Sequence, residues 1–296
     1  MFAKCHHNLH TLNSILLLGL ILSTVDVVNA GEGPYFVTYN HHMEEPGSLE
    51  LNFSPLFGFP GITSDFLAAT AEIEYGVKGW WTSEFYLQGQ GTDGQGALFT
   101  GYRWENRFRP LFREHWINPV LYVEFEDVNG ADRSMKEIVG HDSKFYLLEP
   151  VSESRLTVER EIETKLILSS NFRGWNVAGN FIAVKNIKPE PWEFGYALGV
   201  SRPLALAASP AECRLCRENF MAGLELYGGL GEWGDFGLRD TSHYLAPSLA
   251  WQLQNGTTIR VSPTFGLTSL SIPLMVRFSV SREIGSFSRQ VKEWLR

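Results

Sequence analysis

Beyond its first thirty residues, the chain has no apolar run approaching the ~20 residues with which a helix crosses a bilayer. A membrane role would therefore fall to strands. Basic residues are in the minority, with 25 Lys and Arg against 33 Asp and Glu and a formal charge of −8. No Lys/Arg cluster supplies the basic footprint that nucleic acid requires. The 3 cysteines are too few for a disulfide scaffold. No nucleophile-elbow motif is present to announce a serine hydrolase.

The first thirty residues are the exception to this pattern. Lys4, His6 and His7 precede an apolar core from Ile15 to Leu22, and Val28, Asn29 and Ala30 stand before Gly31. That is the layout of a cleavable secretory signal, residues 1–30, giving a mature chain that works outside the cytoplasm. Cys5 leaves with the signal. The remaining pair, Cys213 and Cys216, is expected to form a small-loop disulfide in an oxidising compartment. Haem attachment would want His where Arg217 stands, and a zinc site would need ligands that the local sequence does not supply.

What the chain has in quantity is alternation. In AEIEYGVKGWWTSEFYLQ, Ala71, Ile73, Tyr75, Trp81, Phe85 and Leu87 share one parity, while Glu72, Glu74, Thr82, Glu84 and Tyr86 share the other. Two strands with one apolar and one charged face follow. A three-residue loop Val77–Gly79, with Gly79 at positive φ, would place Tyr75 opposite Trp81, Ile73 opposite Ser83 and Ala71 opposite Phe85. The same two-faced pattern recurs along the chain. Arg103, Glu105, Arg107 and Arg109 oppose Tyr102, Trp104 and Phe108. Glu124 and Glu126 oppose Leu121, Val123 and Phe125, and Glu159, Glu161, Glu163 and Lys165 oppose Ile162, Leu166 and Leu168, with Arg160 out of pattern. Glu193, Glu225, Arg260 and Arg277 lie on the polar parity of later segments. Asn255-Gly256 marks a hairpin. The count comes to about twelve strands.

Alternation is compatible with a soluble sandwich that buries its apolar parity or a membrane barrel that shows that parity to lipid. Runs of about ten residues or more suit tilted bilayer crossings. Trp80, Trp81, Trp104, Trp175, Trp192 and Phe220 gather near strand ends, where barrels carry aromatic girdles. Short turns at Val77–Gly79, Asn171–Gly174 and Asn255-Gly256 fall on one side, and the long Asp127–Arg155 connection falls on the other. The Arg202–Asn219 connection is a long exception on the short-turn side. From Ser48 to Ile284 the sequence resembles a Gram-negative outer-membrane β-barrel, and its loose overall pattern is similar to small transporter-like barrels grouped with phenol-degradation channels, without a diagnostic motif. Such barrels usually finish on a strand with a terminal aromatic, whereas Gly285–Arg296 continues past the last strand here.

The expected organisation is a signal at 1–30, an N-terminal arm or plug at 31–47, an all-β antiparallel transmembrane barrel at 48–284 and a tail at 285–296. Expected lumen-lining residues are Glu72, Glu74, Glu84, Arg103, Glu105, Arg107, Glu124, Glu126, Glu161, Glu163, Lys165, Glu225, Arg260 and Arg277. They form either a polar solute pathway or a structural ladder of cross-strand ion pairs. The run YNHHMEE offers His41, His42, Met43, Glu44 and Glu45, types that would suit copper. At a mature N-terminus such a run reads instead as a solvated arm or a lumen plug, and no metal is assigned. Ser242-His243, His115 and His141 lack a placeable acid partner, so no catalytic residue is assigned. The sequence thus points to an outer-membrane barrel, folded by the assembly machinery into lipid and passing or binding a small solute without a cofactor. An envelope lipid-modifying barrel enzyme and a closed structural or adhesion barrel are the alternatives. Excess acid on the lumen parity implies a narrow, weakly cation-selective pore, gated by the arm from Gly31 to Gly47.

Overall fold

The computed structural model describes residues 33–135, 138–207 and 214–295. The secretory signal, Cys5 and Cys213 lie outside the described residues. Thirteen strands run in chain order: β1 (Leu49–Phe59), β2 (Phe66–Lys78), β3 (Trp81–Thr92), β4 (Gly96–Phe108), β5 (Asn118–Asn129), β6 (Val158–Phe172), β7 (Trp175–Asn186), β8 (Glu193–Pro203), β9 (Phe220–Glu232), the two-residue β10 (Asp235–Phe236), β11 (His243–Gln252), β12 (Thr257–Gly266) and β13 (Leu274–Ile284). β10 only extends β9 into a small flap. The other twelve pair antiparallel with their neighbours around a ring, which closes where β1 meets β13 with Leu49 opposite Ile284. Closure leaves the ring no free edge, so every strand finds backbone partners on both sides. Among the described residues no helix is long and apolar enough to cross a membrane.

The alternation sorts side chains as a membrane barrel does. Ile73, Phe85, Leu87, Trp104, Leu121, Leu166, Leu198 and Phe278 are exposed on the outer wall, while Glu72, Glu74, Glu84, Glu105 and Glu124 are buried inside it. Aromatic clusters ring the end that carries the chain termini, called the near end below. There Trp80, Trp81 and Phe108 stack together, Phe220 lies flat on Trp251, and Trp116 meets Phe172 edge-on. Arg160, which breaks the inward parity of β6, forms an outward ion pair with Asp127 on β5 at 2.8 Å.

The first hairpin differs from the sequence expectation. Lys78 pairs with Trp81 across a two-residue turn, Tyr75 faces Ser83 and Ile73 faces Phe85. A bulge between Gly76 and Lys78 absorbs the extra residue. With the turn moved to Gly79–Trp80 and one residue taken up by the bulge, the pairing lies two residues from the expected one, so the faces are preserved although the partners change. Gly79 is not among the positive-φ residues. The two later turns behave as their sequences imply: Arg173 and Gly174 both take positive φ in a two-residue turn, and Gly256 takes φ +77 after Asn255.

Connections at the near end are short except for residues 109–117 and 204–219. Cys216 in the latter is disulfide-bonded and begins a single turn at Arg217–Asn219. Past β13 the tail forms a helix, Phe287–Trp294, rather than further strand. Its Ser288 N–H donates to Gly47 O, so the tail helix is tied to the segment that leads into β1.

Placing Arg at Ile73, Phe85 or Leu87 should cost about 2–4 kcal/mol, because a guanidinium would enter the hydrocarbon belt. Reversible urea unfolding in phospholipid vesicles reads this directly. Unchanged stability in all three variants would refute the two-faced assignment.

Candidate functional site

The register assembles the inward carboxylates into one continuous line. Glu283 on β13 lies opposite Glu50 on β1, Glu50 opposite Glu74, Glu74 opposite Glu84, Glu84 opposite Glu105, Glu105 opposite Glu124, and Glu124 opposite Glu163. Val184 on β7 interrupts the line, which resumes at Glu193 on β8 and Glu232 on β9. Adjacent strands sit about 4.8 Å apart, so each carboxylate follows the last at roughly that step. Glu283 and Glu50 are next to the near ends of their strands, while Glu193 and Glu232 stand at the far ends of theirs. The line is therefore a ramp that climbs the inner wall from one mouth to the other.

Directly opposed like charges destabilise a sheet, so this row needs compensation. It comes diagonally, from the rows above and below. Arg107 lies between Thr82 and Tyr122 in register and reaches up to Glu74 (2.5 Å), Glu84 and Glu105 (3.3 Å). Arg103 reaches down to Glu124 (3.5 Å) and across to Glu126 (3.1 Å), while Lys165 holds Glu163 at 2.7 Å. Tyr86 OH sits between Glu84 and Glu105, and Tyr122 OH donates to Glu124. The ladder expected from the sequence exists, but its direct cross-strand neighbours are acid against acid, with the bases one row away.

Two segments fold into the lumen. The N-terminal arm enters from the near end. Glu225 accepts the backbone N–H groups of Phe36, Val37 and Thr38 at 2.7–2.9 Å, and Arg260 donates to Tyr35 O. Asn180 closes a reciprocal pair with the backbone of Tyr39. The Tyr39 ring lies 4.4 Å from Lys165 Nζ and edge-on to Tyr122, with its hydroxyl 3.0 Å from Glu105. The arm leaves over Gly76, where a Cβ would stand 2.0 Å from Glu45 O. Glycine is thus the residue that lets the arm cross this wall.

The second segment, residues 130–157, dips in from the far end. Met135 O accepts from Arg277, Ser134 bonds Gln88 and Arg103, and Gly140 bridges to Gly231 on β9. A side chain at Gly229 would press a Cβ to 2.4 Å from Gly140 O. Val37 of the arm, Ile138 of this loop and Leu56, Tyr227, Tyr244 and Met275 of the wall form one apolar cluster inside the barrel. That cluster reaches the wall on β1, β2, β8, β9, β11 and β13. Polar space remains beside it, as a cavity of about 470 Å³ lined by Glu126, Asp142, Glu159, Glu161, Glu163 and Glu193 with Arg103, Arg133 and Lys188, and a smaller one of about 90 Å³ beside Tyr39, Glu72, Glu84 and Arg107.

All fourteen expected lumen residues on the strands thus face inward, but in two roles. Glu225, Arg260 and Arg277 anchor the plugs, and the rest belong to the ramp and its flanking rows. Sequence reasoning missed Glu50, Glu283 and Glu232 as ramp members, and Asn176, Asn180, Ser169 and Thr82 as the seat of the arm. Arg109 lies beyond β4 and donates to Gly79 O at the mouth. Met43 packs with Val120, Tyr122 and Ile167, away from any ligand position. Ser242 Oγ donates to Asp142 O, while His243 bonds Tyr196 and Thr241, so the two do not pair as serine and histidine.

No family model and no curated protein matches this chain. Solved structures do, at the level of fold. An outer membrane channel from Pseudomonas putida F1 is 9% identical and superposes over 86% of this chain and 100% of that one with a TM-score of 0.51. The KdgM porin is 8% identical over 79% of this chain and 98% of that one, with a TM-score of 0.47. The fold is that of a small, transporter-like outer-membrane β-barrel of twelve strands.

Two expectations follow from this geometry. Arg107→Met would strand buried carboxylates and should cost about 3–5 kcal/mol. Adding Glu84→Gln should return part of the loss in urea unfolding, and no recovery would contradict the pairing. In the far-end loop, burial pushes the Asp142 carboxyl up to about 7, reinforced by Glu161 and Glu159 and opposed by its bond from Val139 N–H and by Arg133. A carboxyl whose folded pKa is raised binds its proton more tightly when the loop is packed. Loop packing should therefore strengthen as pH falls from about 7 toward 4 and weaken as pH rises through 7. Amide exchange of residues 138–149 between pH 5 and 8.5 tests this, and Asp142→Asn should flatten the profile.

Proposed function

We propose that this protein is an outer-membrane channel for small cationic solutes, with the arm at its near, periplasmic end and the 130–157 loop outside. The observation that carries the reading is the carboxylate ramp. Nine glutamates in one register line, broken once, lead around the inner wall from one mouth to the other. Inside a low-dielectric wall an excess of fixed negative charge raises the local cation concentration and repels anions. Arg103, Arg107 and Lys165 neutralise the middle of the ramp, so cations would meet alternating weak and strong sites rather than one trap. Conduction needs that balance, since a site must release what it binds.

A closed structural barrel is the second reading, favoured by the two plugs that meet in the lumen. A planar bilayer under a salt gradient separates the two. The channel reading expects a reversal potential of cation-selective sign, a larger conductance when residues 33–46 are deleted, and a potential that moves toward zero in Glu161→Gln/Glu193→Gln. Anion selectivity would overturn the ramp as a pathway. No conductance even after arm deletion would establish the closed barrel.

A further inference from the structure

Where the arm crosses the near-end mouth, three side chains from two parts of the chain converge on a single atom of a third. Asn171 Nδ2, at the β6–β7 turn, lies 3.4 Å from His41 Nε2, 3.3 Å from His42 Nε2 and 3.0 Å from Glu114 Oε1. An amide nitrogen carries two protons and cannot serve three acceptors. A cation drawn in among the same donors could. We propose that His41, His42 and Glu114 form a binding site for a divalent transition-metal ion of the zinc or copper class, which clamps the arm to the barrel mouth.

The surroundings are built for it. His41 is buried, and its Nδ1 faces Ser169 Oγ in a short hydrogen bond. If Nδ1 is the donor, Nε2 keeps its lone pair toward the convergence point, which is the second-shell arrangement that orients ligating histidines. The two imidazole rings lie 4.7 Å apart, on the same side of the arm although their residues are consecutive. His41 Nε2 and Glu114 Oε1 are 3.8 Å apart. Two ligands on a tetrahedral ion with bonds of about 2.0–2.1 Å stand about 3.4 Å apart, so His41 and Glu114 need a few tenths of an ångström, while the exposed His42 ring has to swing farther in to become the third ligand. Glu114 is 59% exposed on the 109–117 connection and can make that move. Turning the Asn171 amide, now held by Asn176 Nδ2 at 2.7 Å, would present its oxygen as a fourth donor. Two imidazoles with one carboxylate suit zinc and copper, whereas magnesium and calcium favour oxygen donors alone.

Binding is read without reference to conduction, so this proposal and the channel reading can fail separately. The full mature protein in detergent is titrated with Zn2+ by calorimetry and with Cu2+ by electron paramagnetic resonance. The expected result is one equivalent bound, with copper coupled to two nitrogens. His42→Ala, at an exposed position that should not disturb folding, should remove one nitrogen coupling and weaken Zn2+ binding by at least ~10-fold, and Glu114→Gln should weaken it as well. Asn171→Asp should tighten it, and His141→Ala at the far end should change nothing. Absence of binding, copper bound without nitrogen coupling, or affinity that survives His41→Ala/His42→Ala would overturn the site.

Discussion

Everything in this molecule depends on the pairing of β1 with β13. In a hydrocarbon environment an unpaired peptide group costs several kcal/mol, so a sheet can face lipid only when its first and last strands satisfy one another. The β1–β13 register does this over the length of both strands. It also sets the shear of the ring, and the shear is why a line of register partners climbs rather than circles. The ramp of glutamates is a product of the hairpin registers, which make neighbours of carboxylates on successive strands, and closure adds the last step from Glu50 to Glu283.

Closure also creates a problem that the plugs address. A twelve-stranded ring encloses more volume than its own inward side chains fill, yet it buries many carboxylates on one side. Buried charge must be paired, and buried backbone must be hydrogen-bonded. The arm meets both demands by lending three N–H groups to Glu225 and the Tyr39 ring to Lys165. The far-end loop does the same for Arg277 and supplies Ile138 to the apolar cluster. Filling is uneven, with one apolar cluster where the arm and the loop meet and polar cavities left beside it.

Much of the architecture was legible in advance because a strand's two faces are a local property. Ile73 and Glu74 point opposite ways whatever else the chain does, so the lipid-facing and lumen-facing sets, the strand count and the turns at Gly174 and Gly256 could be read from period and turn chemistry. The first hairpin shows the limit of that reading. A turn at Gly79–Trp80 together with a bulge at Val77 moved the pairing by two residues, which leaves parity intact and is therefore invisible to any argument from alternation. The tail, with its helix in place of a closing aromatic strand, followed no periodic signal.

The sequence by itself determined the class of fold, since that rests on which residue types alternate along each strand. Only the tertiary structure decided which charges meet. Glu50, Glu283 and Glu232 carry no local mark that distinguishes them from solvated rim residues, and His41, His42, Glu114 and Asn171 are separated by up to 130 positions in the chain. Their proximity follows from strand register, ring closure and the path of the arm through the lumen, and these are set by long-range hydrogen bonds that no short stretch of sequence encodes.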